Sequence, residues 1–288
     1  MVWIITRQVE ISLLFINSKN NHLEQQELQA LLDQLLIQVE EVGTFMSKHF
    51  GQVKSDDVEE KGKNSLVSFV DKQAEAMLVS FCEEAIPDSG FLTEEDTINK
   101  TGERYNWIID PLDGTTNYLY EIPTFSISIA LQEHGETILG VVYEVIRQEC
   151  FYSIRGGAAY LNGQEIQVAQ RSGIDAAMIA TGFPYSEFEF VARQMNFMQV
   201  LIQEARGIRR IGSAAVDLAY VAAGRFDVYF EAKLNPWDVA AGIFLVQQAG
   251  GKVVDFSGGK PDLSGREVIA TSGAMHQDFL QLFQDSFK

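Results

Sequence analysis

Between residues 23 and 50 apolar side chains recur at helical spacing, with Leu28, Leu31, Leu32, Leu35, Leu36, Val39 and Val42 on one stripe, which predicts a core-facing helix. A second helical pattern opens at Asp71 and runs through Ala74, Met77, Leu78 and Phe81. The period then shortens. Trp107, Ile108 and Ile109 form an apolar run after the polar segment 99–106, as a buried strand does, and Pro111 is expected to stop its ladder because it has no N–H to donate. Residues 125–131, 137–145 and 149–154 read as antiparallel strands, with His134-Gly135 marking one turn. The second half predicts a helix near 189–205, another opening at Gly212-Ser213, a strand over 228–231, a helix after Asn235 and a final strand around 268–270. Helices and sheets therefore alternate in blocks, the signature of a layered α/β (α+β) protein.

Charge and cysteine content narrow the function classes. The chain has 288 residues, 46% of them hydrophobic, and a formal net charge of -18, enough apolar material for one compact unit or two closely joined halves. Such a negative field disfavours nucleic acid and anionic membranes as partners. Cys82 and Cys150 form no close pair and no long apolar span is present, so a reduced, cytoplasmic protein is expected, with both cysteines as small core residues. The run Ile11 to Ile16 is too short to span a bilayer, and no small-residue cleavage site follows it. Residues 1–20 read as an N-terminal extension to a domain over 21–288, with halves at about 21–165 and 166–288.

The chemistry concentrates after the Trp107 strand. Asp110-Pro111-Leu112-Asp113-Gly114-Thr115-Thr116-Asn117 places two carboxylates three positions apart across a Pro-Leu turn. At about 4 Å, with an effective dielectric of about 20, their repulsion is on the order of 4 kcal/mol. A hard divalent cation removes it, and Mg²⁺ suits an oxygen-only set that Leu112 joins through its carbonyl. Gly114 permits close backbone approach, and the hydroxyl residues after it can open a helix whose free N–H groups face a phosphate. Two further acidic clusters, Thr93-Glu94-Glu95-Asp96 and Asn235-Pro236-Trp237-Asp238, offer more carboxylates. Each admits a plain structural reading alone: a turn, a solvated charge run, or an acidic residue in a first helical turn. None of His22, His49, His134 and His276 has metal-ligand spacing.

Taken together, these segments resemble the inositol monophosphatase family. The matching stretches are Leu66-Val67-Ser68-Phe69-Val70-Asp71, Phe91-Leu92-Thr93-Glu94-Glu95, Trp107 to Asn117, and Asn235-Pro236-Trp237-Asp238-Val239-Ala240-Ala241-Gly242 followed by Gln248-Ala249-Gly250-Gly251, in the family's order from about residue 22 onward. The resemblance implies an αβαβα sandwich of the inositol monophosphatase/fructose-1,6-bisphosphatase type and Mg²⁺-dependent hydrolysis of an inositol, polyol or sugar phosphomonoester. It implies Glu94, Asp110, the Leu112 carbonyl, Asp113 and Asp238 as metal ligands, with Glu95 supporting them. Asp71 and Thr115, helped by Glu94, become the group that orients and deprotonates the attacking water. Gly114, Thr115 and Thr116 would hold the phosphate, while Ser213, Ala214 and Glu231 would contact substrate. A homodimer is implied too.

The sequence departs from the family at Thr93, usually glycine, at Ser68, Phe69 and Val70 before Asp71, and at Tyr118, often phenylalanine. Lys61 and Lys63 fall where the family carries a lysine-bearing loop, and align with it no better than with a solvated loop. Thr116-Asn117 stand where bisphosphate nucleotidases place Lys-Glu, which favours the inositol-phosphate branch. Fructose-1,6-bisphosphate and histidinol phosphate remain alternative substrates, and a non-catalytic binding protein on the same scaffold is the reading from another class.

Overall fold

The computed structural model describes residues 22–53, 58–62, 65–98, 100–184, 188, 191–261 and 267–287. Of the sequence-predicted features, residues 1–20, Lys63 and the side chain of Lys61 lie outside them.

The first predicted helix is α1, Gln25–His49, started by a capping box in which the Glu24 N–H donates to Glu27 Oε2 at 2.8 Å. A hairpin of β1, Val58–Gly62, and β2, Ser65–Ser68, leads into α2, Phe69–Ala85. Next come β3, Gly90–Thr93, β4, Tyr105–Asp113, and the short helix α3, Thr115–Leu119. The three predicted antiparallel strands are β5, Ser126–Glu133, β6, Glu136–Glu144, and β7, Glu149–Ile154, with His134 and Gly135 at positive φ in the predicted turn. Two short strands, β8, Ala159–Leu161, and β9, Gln164–Ile166, complete a seven-stranded sheet in sequential order. Only the β3–β4 pair in it is parallel.

The second half supplies β10, Met178–Thr181, α4, Val191–Glu204, β11, Gly207–Arg209, α5, Ala214–Ala222, β12, Val228–Ala232, α6, Pro236–Gln248, β13, Lys252–Val254, β14, Glu267–Thr271, and α7, His276–Ser286. Its five strands run in the order β11-β10-β12-β14-β13, and β10 is parallel to both neighbours.

Three apolar clusters define the layers. Trp107 and Ile109 of β4 turn toward α1 and α2, whereas Ile108 between them joins the cluster around α5 and α6, because successive strand residues face opposite sides. That middle cluster also takes Ala180, Tyr229 and Ala270 from the five-stranded sheet. The far face of that sheet gives Ile179, Val228, Phe230 and Ile269 to a third cluster with Phe197 of α4 and Phe279 and Phe283 of α7. The order is helices, sheet, helices, sheet, helices: the αβαβα sandwich. It explains why α5 and α6 are apolar nearly all round, since a helix covered by sheets on both sides needs no solvent face. Cys82 and Cys150 are free thiols inside the core.

One expectation needs correcting. Pro111 does not end the strand. β4 continues to Asp113 through a register shift, Asp110 opposing Ser128 and Asp113 opposing Ser126, so three steps on β4 match two on β5. The missing proline N–H falls at this bulge, where the ladder is interrupted anyway.

Candidate active site

The bulge re-aims Asp110 and Asp113, and four helices begin around them. Asp71 is the third residue of α2; its Oδ2 receives the Ser68 N–H at 2.9 Å and the Ser68 hydroxyl at 2.7 Å, closing a capping box. Gly114, at φ 98°, caps α3 in a left-handed conformation that favours glycine, and a Cβ there would stand 3.2 Å from the Gly212 carbonyl and 3.3 Å from that of Thr124. Ser213 caps α5. Asn235 caps α6, with Pro236 as first residue and the Asp238 Oδ2 accepting the Asn235 N–H at 2.6 Å, as the sequence predicts. The positive ends of these helices surround a group of carboxylates.

The sequence-predicted residues meet as follows. The Thr115 hydroxyl lies 3.2 Å from Asp71 Oδ1 and 3.0 Å from the Leu112 carbonyl, so the α2 and α3 starts are joined through one oxygen. Asp110 is 1% exposed and accepts the Leu112 N–H at 3.0 Å. Glu94 follows β3, with its N–H on the Ile109 carbonyl at 3.2 Å, which sets it beside the end of β4. Asp113 Oδ2 accepts from the Ser213 hydroxyl at 2.6 Å and the Ala215 N–H at 2.7 Å, tying the bulge to α5. Glu231, at the end of β12, receives the Tyr229 hydroxyl at 2.7 Å. A cavity of about 70 Å³ opens here, lined among others by Asp113, Ser213, Ala214, Asp217, Glu231 and Asp238. Asp71, Glu94, Asp110 and Thr115 are not part of its lining. Thr116 contributes its carbonyl to α3, where it accepts the Tyr120 N–H at 3.0 Å.

Electrostatics mark the group as one that lacks positive charge. Burial pushes Asp110 well above the ordinary carboxylate range, and Glu94, Asp113 and Asp238 push it further. Asp238 rises for the same reasons, burial first and then Asp113. Burial lifts Asp113 to about 6, against hydrogen bonds from Ser213 and Ala215 and the Arg210 guanidinium, and Glu231 to about 7, against the Tyr229 hydroxyl and Arg210. Asp71 is raised by burial while its Ser68 and Thr115 bonds oppose the rise. Among the described residues no three His, Cys, Asp or Glu side chains stand in a ready-made cation cage. The oxygen-only donors, with Asp110 and Asp238 raised by burial and like charge and Asp113 by burial, nevertheless fit a hard divalent cation, which would let several of them ionise together.

Two residues here were not singled out in the sequence. Glu75, fully buried in α2, accepts the Thr93 hydroxyl at 2.9 Å, the Glu95 N–H at 2.8 Å, and the Thr97 N–H and hydroxyl at 2.9 and 2.6 Å. It fixes the turn that carries Glu94 and Glu95, and its position one helical turn after Asp71 was the available signal. Asp217 is the one acid in an otherwise apolar α5, and that interruption was its signal.

The family model described as the inositol monophosphatase family matches residues 27–287. The "Nus factor SuhB" of Escherichia coli K12 is 40% identical over 229 residues, covering 79% of this chain and 86% of its own. The "Inositol-1-monophosphatase" of Mesorhizobium japonicum is 37% identical over 253 residues, 88% of this chain and 95% of its own. Among solved structures, the extragenic suppressor protein suhB of Bartonella henselae superposes with a TM-score of 0.84 at 36% identity, covering 88% of this chain and 98% of that one. A Thermotoga maritima IMPase gives 0.80 at 34%, covering 88% and 97%. The names divide between a phosphatase and a Nus factor, so the charge-based exclusion of nucleic acid gains no support from them. No described helix is long and apolar enough to cross a membrane.

Proposed function

Because the chain belongs to the inositol monophosphatase family, we propose that it is a Mg²⁺-dependent phosphomonoesterase acting on inositol monophosphate or a similar small polyol or sugar phosphate, as a homodimer. The observation that carries this reading is the junction at Asp113: buried, mutually repelling carboxylates on one side, and helix starts facing an open cavity on the other.

In this reading Glu94, Asp110, the Leu112 carbonyl, Asp113 and Asp238 hold Mg²⁺, with Glu95 supporting the set. Bound cations supply charge for the phosphate oxygens and the leaving alkoxide and acidify the attacking water. The chain's own residues do the positioning. Thr115 Oγ1 sits between Asp71 Oδ1 and the Leu112 carbonyl, where it can accept from a water lying in line with the phosphorus while Asp71 takes up the proton. The backbone N–H groups of Gly114, Thr115 and Thr116 hold the phosphate. Ser213 and Ala214 border the alcohol side, and Glu231 accepts a substrate hydroxyl.

Phosphate release is the test, measured with and without Mg²⁺ on inositol 1-phosphate, fructose 1,6-bisphosphate, 3′-phosphoadenosine 5′-phosphate and histidinol phosphate at equal concentration. Mg²⁺-dependent release that favours the inositol ester supports the proposal. A preference for a bisphosphate or for histidinol phosphate moves the chain to another branch, and no release from any of them overturns phosphatase activity on these esters.

A further inference from the structure

Every residue of α5 is buried, and eight of its nine carry no carboxylate. Asp217 is the exception. It is 1% exposed, no described residue donates a hydrogen bond to its side chain, and its Oδ1 is fully enclosed without a partner. A carboxylate shut away from water without a donor is costly, and such groups in native proteins are rare. The N–H and hydroxyl groups at the start of its own helix are already committed, the Ala215 N–H and Ser213 hydroxyl to Asp113 and the Val216 N–H to Ser213.

Asp217 lines the same cavity as Glu231 and Arg210. Glu231 Oε2 is held by Tyr229, while its Oε1 accepts nothing from a described residue. Gly182 forms the wall behind it, where any Cβ would collide with the Glu231 carboxylate. Arg210 is the one positive side chain among the described lining residues, and its guanidinium lowers Asp113, Asp217 and Glu231 against the rise from burial. The cavity wall beyond Asp113 therefore offers acceptors in excess and needs donors from whatever enters.

Resting on the phosphatase reading above, we propose that Asp217 is a specificity-determining residue: with Glu231 it forms a two-carboxylate acceptor for hydroxyls of the alcohol, selecting phosphomonoesters of polyols with at least two hydroxyls on the side facing α5. The phosphate end lies at α3 and the alcohol extends past Asp113 to these two acids. A site built to receive hydroxyls rejects an analogue lacking them, because its buried acceptors then stay unpaired.

The experiment compares the wild-type chain, Asp217→Asn and Asp217→Ala on inositol 1-phosphate and on phenyl phosphate, which has the same reacting group and no hydroxyl. With Mg²⁺ present, the ratio of kcat/KM for the polyol ester over the phenyl ester is expected to fall 10- to 100-fold in Asp217→Ala, mostly through KM. Asp217→Asn, which keeps an acceptor oxygen, should fall less and should melt at a higher temperature than wild type, since a burial penalty has been relieved. Should the alanine variant not fold, the asparagine variant carries the test through the same ratio. An unchanged ratio in a folded variant overturns the role of Asp217 and leaves the phosphatase reading standing. A wild-type chain that hydrolyses neither ester overturns both.

Discussion

Two regions of this molecule bury carboxylates in opposite ways. Glu133, at the end of β5, is 3% exposed and receives Arg104 through Nε and Nη2, Arg155 through Nη1, and the Tyr105 hydroxyl, with His22 Nδ1 at 2.9 Å. Bonds from Arg155, His22, Arg104 and Tyr105 outweigh the cost of burial and bring it down to about 2. It ties the segment before α1 to β4 and β5. Asp110 and Asp238 have other acids for neighbours instead, Glu94 and Asp113 among them, and burial raises both of them and Asp113 as well. A buried acid that serves the fold comes with its cations built in, whereas one that serves a ligand leaves that role to the ligand.

The largest effect that would break this contrast is on activity. Asp110→Asn should lower Mg²⁺-dependent phosphate release at least ~100-fold without lowering the melting temperature of the metal-free chain, because a repelling charge has gone; lost stability with normal turnover would place Asp110 among the structural acids. Thr115→Ala should reduce kcat by roughly 10- to 100-fold, with Mg²⁺ affinity from calorimetry kept within about threefold. Glu75→Gln should weaken Mg²⁺ binding by about tenfold and lower stability as well, since the two N–H groups and two hydroxyls around that carboxylate all need acceptors, and an amide presents donors to some of them. Glu133→Gln should cost about 2–4 kcal/mol in denaturant unfolding and leave kcat within about twofold.

The two regions also answer pH with opposite signs. Glu133, lowered from 4.5 to about 2, contributes stability that is complete above its unfolded value and is lost as pH falls toward 2. Asp113 and Glu231, raised to about 6 and about 7, hold protons more tightly folded than unfolded, so the metal-free chain should lose stability as pH rises from about 4.5 to 7. Melting temperature without Mg²⁺ is therefore expected to peak in the mildly acidic range. Mg²⁺ should raise it most near neutral pH; a flat profile through 4.5 to 7 would show that the site acids are not under strain.

What could be read in advance follows local chemistry. Asn235-Pro236 and Gly114-Thr115 announce helix starts because cap, proline and glycine signals act over three or four residues, and both appear where expected, whereas α2 starts two residues ahead of the predicted Asp71, at Phe69 after its cap Ser68. The bulge after Asp110 was missed because a register shift depends on the partner strand, and proline alone reads as a stop. β8, β9, β11 and β13, three residues each, are too short for a period to register. α7 went unread although Phe279 and Phe283 stand one turn apart, its polar face resembling a tail. Asp217 shows the deeper obstacle: an acid on a helix reads as solvent-facing until two sheets are known to cover that helix.

The most direct measurement is a calorimetric titration of Mg²⁺ into the purified chain at neutral pH, beside Asp110→Asn. Saturable binding with proton release in the wild type, weakened at least tenfold in the variant, is the result this account predicts. Equal binding in both, or heat no larger than dilution in the wild type, would contradict the assignment of these carboxylates to a cation.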